Sequence, residues 1–220
     1  MRSLLKFIAP HKTIPVTPWR AEHRWQLSPA RIAILFFGLA IFGFGDALLV
    51  QGNVGNAPWT VFAQGFSLKT GFPLGVSTFI ISVAVLLMWI PIKERPGFGT
   101  LANIVVIATF IQIGISVVPL QESLAMGVLF DLIGIILVGI GSALYITCGL
   151  GPGPRDGMMT GIHKATGVRV GRVRLGIEVT VLGIGWLMGG TVGVGTLLFA
   201  LLIGESIAIS LGVVARRTTQ

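Results

Sequence analysis

Residues 38 to 114 and residues 134 to 210 are two versions of one text, in register at a constant offset of 96 without a gap, with 22 identities in 77 positions. The 22 shared residues hold nine glycines and one proline, types that bend or narrow a chain. They include Gly43/Gly139, Gly45/Gly141, Gly55/Gly151, Pro58/Pro154, Gly65/Gly161, Thr70/Thr166, Gly71/Gly167 and Gly75/Gly171, and Gly97-Phe98-Gly99-Thr100-Leu101 returns as Gly193-Val194-Gly195-Thr196-Leu197. Such a chain folds as two units of one plan, each burying its apolar face against the other.

The solvent for those units follows from composition. With 53% hydrophobic and 11% charged residues and a mean hydropathy of +0.89, there is too little polar surface to coat a soluble globule. Apolar stretches run over about 30–52, 74–92, 100–120, 127–149, 172–192 and 194–213. Each is near the ~20 residues that cross ~30 Å of hydrocarbon as a helix. The fifth is the least clean, its uninterrupted apolar part starting only at Leu175 and running into Gly189-Gly190. Six spans make three per copy, an odd number that turns the second copy over relative to the first, as in many inverted-repeat transporters. The expected fold is all-α: a polytopic membrane protein of six transmembrane helices in two inverted three-helix repeats, with a short helix after the first span of each.

Charge placement gives the orientation. Arg2, Lys6, Lys12, Arg20, Arg24 and Arg31 precede or open the first span; Lys93 and Arg95 lie in the second loop; Arg155, Lys164, Arg169, Arg172 and Arg174 in the fourth; Arg216 and Arg217 at the end. Six alternating spans put all of these on one side and leave only Lys69 on the other. By the positive-inside rule that side is the cytoplasm, with both termini there. The organisation reads as a basic cytoplasmic segment 1–30, membrane repeat 1 over 31–120, membrane repeat 2 over 121–213 and a tail 214–220. The net charge of +8 then serves topology and contact with anionic lipid. The bases are dispersed between spans, which argues against nucleic acid as a partner. No cleavable signal precedes Ile32. The first thirty residues, with Pro10, Pro15, Pro18 and Pro29, read either as an unstructured tail or as a segment held at the interface by Trp19 and Trp25. Cys148 is the single cysteine, so no intrachain disulfide forms, and a lone Cys in an apolar span is packing material.

The paired loops after the first span of each copy carry the strongest local signals. GNVGNAPWTVFAQGFSLKTGFPLG (52–75) and CGLGPGPRDGMMTGIHKATGVRVG (148–171) each run from a Gly-rich stretch into Pro58 or Pro154, suited to a first helical turn. Each closes on Thr70-Gly71 or Thr166-Gly167, where glycine adopts the left-handed cap. These are short helices that cannot span. Their uncapped N-termini suit an anion or carboxylate. Two placements are open: both helices dip inward so that the ends meet near the midplane, where exposed backbone must line a cavity or be buried, or both lie flat at the interface. The second loop holds Arg155, Asp156, His163 and Lys164 where the first has Trp59, Thr60, Ser67 and Leu68. Arg155 beside Asp156 suits either solute binding or a structural ion pair.

Four acids fall in or at the edge of spans, where an unpaired charge costs about 2.5 kcal/mol or more and usually marks a pathway or a partner. Glu205, matched by Thr109, is the most central, and Asp46, matched by Ser142, is next. Each reads as a proton-coupling carboxylate or as a protonated structural one. Glu178 follows Arg174 by four residues and so pairs locally; Asp131 lies near a span end and is expected to reach the interface. Gly43, Gly45, Gly139 and Gly141, with Gly38 and Gly134 earlier in the same spans, suit close helix contact, the alternative being a hinge in a moving span. The candidate pathway is therefore Pro58, Trp59, Arg155, Asp156, Asp46 and Glu205. No catalytic residue, metal site or cofactor is expected: His11, His23 and His163 are dispersed, and no HExxH or GxSxG pattern occurs.

The elements GNAPWTVFAQGFSLKTGFPLG, PGFGTLAN and GLGPGPRDGMMTGI resemble the YczE/YyaS/YitT-like bacterial membrane proteins, in particular the YczE-like branch, over about residues 30 to 213. The resemblance implies a bacterial inner-membrane protein and transfers no functional residues. The residues themselves point to a small secondary transporter or channel for a small solute, with an anion favoured by the helix ends and Arg155. The alternative is a non-transporting membrane scaffold or regulator assisting another enzyme or complex. Besides the bilayer and the solute, a second copy of the chain is a plausible partner, because six helices enclose little volume.

Overall fold

A computed structural model describes residues 13–218, which leaves Arg2, Lys6, Pro10, His11 and Lys12 of the basic segment outside the described residues. The described chain is helical, with no strand. Its elements are α1 (Pro29–Gly52), α2 (Pro58–Thr70), α3 (Leu74–Leu87), α4 (Trp89–Ile92), α5 (Phe98–Val117), α6 (Leu124–Thr147), α7 (Pro154–Thr166), α8 (Val170–Leu187) and α9 (Val194–Thr218). The repeat is visible in the boundaries: α2 and α7 begin and end at positions 96 apart. Both start on proline, and both end on a left-handed glycine, Gly71 at φ 76° and Gly167 at φ 72°, whose N–H closes the last turn.

Five helical segments are long and apolar enough to cross a membrane: α1, α3 continued through α4, α5, α6 and α9. The expectation of six therefore meets five by length and composition. The exception is α8, only 18 residues long and carrying Arg172, Arg174 and Glu178 in its first half.

α1 and α6, the same helix in the two copies, pack against each other along a seam of glycines spaced by seven. A methyl group on Gly45 would lie 2.8 Å from the Gly134 carbonyl oxygen, one on Gly134 would lie 2.7 Å from that of Gly45, and Gly38 faces Gly141 in the same way. Residue numbers rise on one helix as they fall on the other, so the two run antiparallel. Only hydrogen at these positions lets the backbones approach so closely. Leu49, Ile135 and Val138 belong to one apolar cluster beside the seam, and Leu35 and Leu39 to another.

The copies also exchange loops. Gly99 N–H at the start of α5 donates to Leu150 O (2.8 Å), and Gly195 N–H at the start of α9 donates to Val54 O (2.9 Å). Both donor and acceptor are displaced by 96, so this is one contact made twice about a local twofold axis.

Residues 13–28 are not a loose tail. Thr17 Oγ1 donates to Thr147 O (3.1 Å) and Trp19 Nε1 to Thr147 Oγ1 (3.2 Å). Arg31 donates to Trp19 O (2.7 Å) and Gln26 O (2.9 Å), and Phe98 N–H to Arg24 O (3.1 Å). The segment is tied down because it satisfies backbone groups at the end of α6 and the start of α5 that have no helical partner. Asp131, expected at the interface, is fully buried (0% exposed), with neither carboxylate oxygen hydrogen-bonded. Its helix packs on α1 and α9 at that level, and the glycines 52 and 195 leave the space it occupies.

One departure from twofold symmetry involves α3 and α8. α3 packs on α5 of its own copy, whereas α8 packs on α2 of the other copy. The residue pair responsible is Trp89 and Gly185, which share a repeat position. Gly185 lets α8 meet α2 backbone to backbone, with a methyl group there only 2.5 Å from Phe62 N. The Trp89 indole instead fills the corresponding space against Gly157 and donates to Pro154 O (3.0 Å).

Candidate functional site

The two short helices aim their N-termini at one cavity of about 310 Å³ at the junction of the copies. Its walls keep the repeat's symmetry. Phe42, Asp46, Ala57, Pro58, Trp59, Ser82, Asn103 and Ile107 line it from the first copy, and the residue 96 positions on from every one of them lines it from the second. The cavity thus lies between the copies, and seven further lining residues, Tyr145, Asp156 and Arg174 among them, come from the second copy alone.

Pro58 and Pro154 occupy the first helical position, and neither Ala57 nor Gly153 before them has a side chain that caps the helix. The backbone ladders begin with Val61 N–H to Ala57 O and Gly157 N–H to Gly153 O. The N–H groups of Trp59 and Thr60, and of Arg155 and Asp156, precede those ladders and carry the positive end of each helix dipole toward the cavity. The first turn of α2 is inside the protein, with Trp59 8% exposed and Thr60 1%, whereas in α7 Pro154 is buried, Arg155 half-buried and Asp156 exposed.

Charge enters asymmetrically. Asp46 on α1 is 1% exposed, and its Oδ2 has no hydrogen-bond partner; neither has the Thr60 hydroxyl, its neighbour on α2. The same two positions in the second copy are Ser142 and Asp156, so the acid and the hydroxyl have changed places. Asp156 Oδ2 accepts from the Tyr145 hydroxyl (2.7 Å). Arg155 lies 5.1 Å from the centroid of the Trp59 ring and within electrostatic reach of Asp46, Asp156 and Glu178. Arg174 and Glu178 pair at 2.9 Å on the α8 wall.

The cavity therefore brings together Asp46, Pro58, Trp59, Arg155 and Asp156. Glu205 is not among them. It is exposed on the other side of α9, in an apolar groove with Leu202, Ser206 and Arg217, because Ile203 and Ile207 take the cavity face. Tyr145, Ser82 and Asn103 were not singled out by the sequence. A signal for two of them exists: Ser82 and Asn103 are polar residues in apolar spans, opposite Glu178 and Phe199 in the other copy. Among the described residues no three His, Cys, Asp or Glu side chains stand together as metal ligands. The arrangement can hold a small solute between two helix ends, a cation and a buried carboxyl, with Phe42, Ile107, Phe199 and Ile203 excluding water from its apolar parts.

Comparison with known proteins agrees with the membrane character. The chain is 45% identical over 205 residues to an "Uncharacterized protein" of Haemophilus influenzae, covering 93% of this chain and 94% of that one. It is 35% identical over 200 residues to the "Uncharacterized membrane protein YczE" of Bacillus subtilis, covering 86% and 92%, and 26% identical over 184 residues to that organism's YyaS, covering 81% and 91%. No solved structure matches the chain. Residues 29–211 match the model of DUF6198, a family of unknown function, and with YczE and YyaS as relatives the chain belongs to this YczE-like family of multi-pass membrane proteins.

Proposed function

We propose that the protein is a small secondary transporter that carries a small solute with an anionic group across the bacterial inner membrane, as an inverted repeat of six crossings with both termini in the cytoplasm. The observation that carries this reading is the cavity between the copies, walled in large part by equivalent residues of both and holding a buried Asp46 with one carboxylate oxygen free of any hydrogen bond. A substrate site between inverted repeats, flanked by broken helices, is the arrangement expected of such carriers. The antiparallel α1 and α6 support the inversion. α8 completes the six: its Arg174 and Glu178 line the cavity and pair with each other, which removes the cost of presenting them to lipid. The short helices dip inward in this reading, supported by the burial of Trp59, Thr60 and Pro154.

The anionic group of the solute sits between the two helix ends and Arg155, which supplies directed donors. Asp46 carries the coupling proton. Purified protein in liposomes, supplied with labelled small carboxylates and inorganic anions, should give saturable uptake that rises with an inward proton gradient. Arg155→Ala and Asp46→Asn should remove it while the helical content and elution volume of the protein stay unchanged. Full activity in both variants would sink the site assignment. Absence of flux for every solute, with the protein folded and inserted, would favour the scaffold instead.

A further inference from the structure

The twofold plan makes a contact in one copy that it leaves unmade in the other. In the first copy α3 closes on α5 through Gly75. A methyl group there would lie 2.6 Å from Ala108 O and 2.7 Å from Gln112 Cβ, and the Gly75 N–H donates to Gln112 Oε1 at 3.0 Å. The same three positions in the second copy are Gly171, Gly204 and Ala208. Nothing lies within 4 Å of where a methyl group would project from either Gly171 or Gly204, and Gly176 and Gly183 of α8 are equally open. The consequence appears in helix burial: half of the apolar window of α5 is buried, against 17% of that of α9.

We infer that α8 is a mobile arm that closes on α9 through Gly171 and Gly204, remaking in the second copy the contact that Gly75 makes with Ala108 in the first. The complementary surface is already present. Gly204 and Ala208 present α9 as a smooth face, and Gly171 lets the start of α8 approach it as Gly75 approaches α5. Closure would bring the α8 wall of the cavity, Arg174, Ile177 and Glu178, against the α9 wall, Phe199, Ile203 and Ile207, and so shut the cavity at that flank. The first copy shows how the arm is held when shut, by a backbone N–H and the Gln112 amide oxygen. Ala208 cannot supply that bond, so the second seam has no such latch and opens more readily. In the six-crossing orientation the Gly75 seam lies near the outer surface and the Gly171 seam near the cytoplasm. The structure is then the inward-open state of an alternating carrier, and the arm is its cytoplasmic gate. The gating role rests on the transport reading; the motion itself does not.

The test therefore reads the motion without flux. In full-length protein carrying Cys148→Ala, Gly171→Cys and Gly204→Cys fit without strain, since both positions face open space, and Ala at 148 is conservative where the other copy has Gly52. Reconstituted in liposomes, the pair should form an intramolecular disulfide on mild oxidation, which requires the two Cα atoms to come within ~7 Å. Spin labels at the same sites should give two separations, one of them shorter than in the open form. A wedge, Gly171→Leu, should leave thermal unfolding unchanged while removing the shorter separation from labels at Gly176 and Gly204. If both cysteines react with a soluble maleimide yet never cross-link, and a single long separation is found, the arm is fixed and the inference fails. That failure leaves the flux experiment standing, and absence of flux leaves a cross-linking arm standing.

Discussion

The Arg155 guanidinium lies over the Trp59 ring, 5.1 Å from its centroid, and the two residues occupy the same position in the repeat. A symmetric ancestor of this contact would set like against like, two cations or two indoles across the axis. Here divergence has made the pair attractive, and it gives direction to a symmetric cavity. A cation over an indole contributes about 0.5–2 kcal/mol, or roughly 2- to 30-fold in affinity. Trp59→Phe is expected to weaken solute binding toward the low end of that range and Trp59→Ala toward the high end, read by equilibrium binding in detergent. Equal affinity in all three proteins would mean that the stack has no part in the site.

Asp46 and Asp156 offer a second comparison. Asp156 is held by Tyr145 and is exposed, while Asp46 is buried with a free oxygen. Asp46→Asn should abolish uptake against a gradient yet preserve exchange of solute for solute, because the fixed amide cannot pick up or lose a proton. Asp156→Asn keeps an acceptor for the Tyr145 hydroxyl and should change accumulation by less than the roughly 2- to 13-fold that full loss of one hydrogen bond, about 0.5–1.5 kcal/mol, would give. Uphill uptake by Asp46→Asn would remove the carboxyl from the coupling mechanism.

Much of this frame is legible in the sequence, because the punctuating residues act locally. Pro58 and Pro154 open helices, Gly71 and Gly167 close them, and the apolar runs between them set helix lengths. What a linear reading misses is rotation and docking. Glu205 is deep within its helix, but two residues along a helix turn a side chain about 200°, so Ile203 and Ile207 face the cavity while Glu205 faces out. Asp131 looked peripheral by its place in the chain, yet the space left by Gly52 and Gly195 lies 79 positions before it and 64 after it. The segment 13–28 has no apolar period to betray it, since it is held by backbone carbonyls and single side chains. The α8 asymmetry had one visible trace, Trp89 opposite Gly185, and its meaning needed both packings.

Cys148 is fully buried (0% exposed), and its Sγ donates to Leu144 O at 3.3 Å. A maleimide should leave it unmodified in the native protein over hours and label it fully in denaturant, as counted by intact mass. Rapid native labelling would mean that the end of α6 and the 13–28 segment open together.

The glycine seam carries the contact between the copies. Gly45→Leu or Gly134→Leu forces α1 and α6 apart where a single methyl group would already lie within 3 Å of a carbonyl oxygen. Overpacking of this kind costs about 1–3 kcal/mol per site. The two replacements meet at one level of the seam, so their costs should not add. Thermal unfolding in detergent would show each single variant destabilised and the double variant less destabilised than the sum. Unchanged melting in either single variant would mean that α1 and α6 separate without cost.

Gln112 separates a latched seam from an open one. Its Oε1 takes the Gly75 N–H at 3.0 Å, a bond that ties the start of α3 to α5 where no helical partner for that N–H exists. Gln112→Ala converts the first seam to the composition of the second, where Ala208 stands. Losing the bond costs about 0.5–1.5 kcal/mol, which is small against the packing of Ala108 on Gly75 but shifts a two-state balance roughly 2- to 13-fold toward opening at that end. The expected result is a folded protein in which a cysteine placed at Val76, beside the seam, reacts faster with a water-soluble maleimide applied to intact cells. The rate at a cysteine placed at Gly171, reached by the same reagent in inverted membrane vesicles, should fall, since opening one seam accompanies closing the other in an alternating carrier. Faster labelling at both positions would indicate general loosening, and no change at either would mean that the seam is held by packing alone.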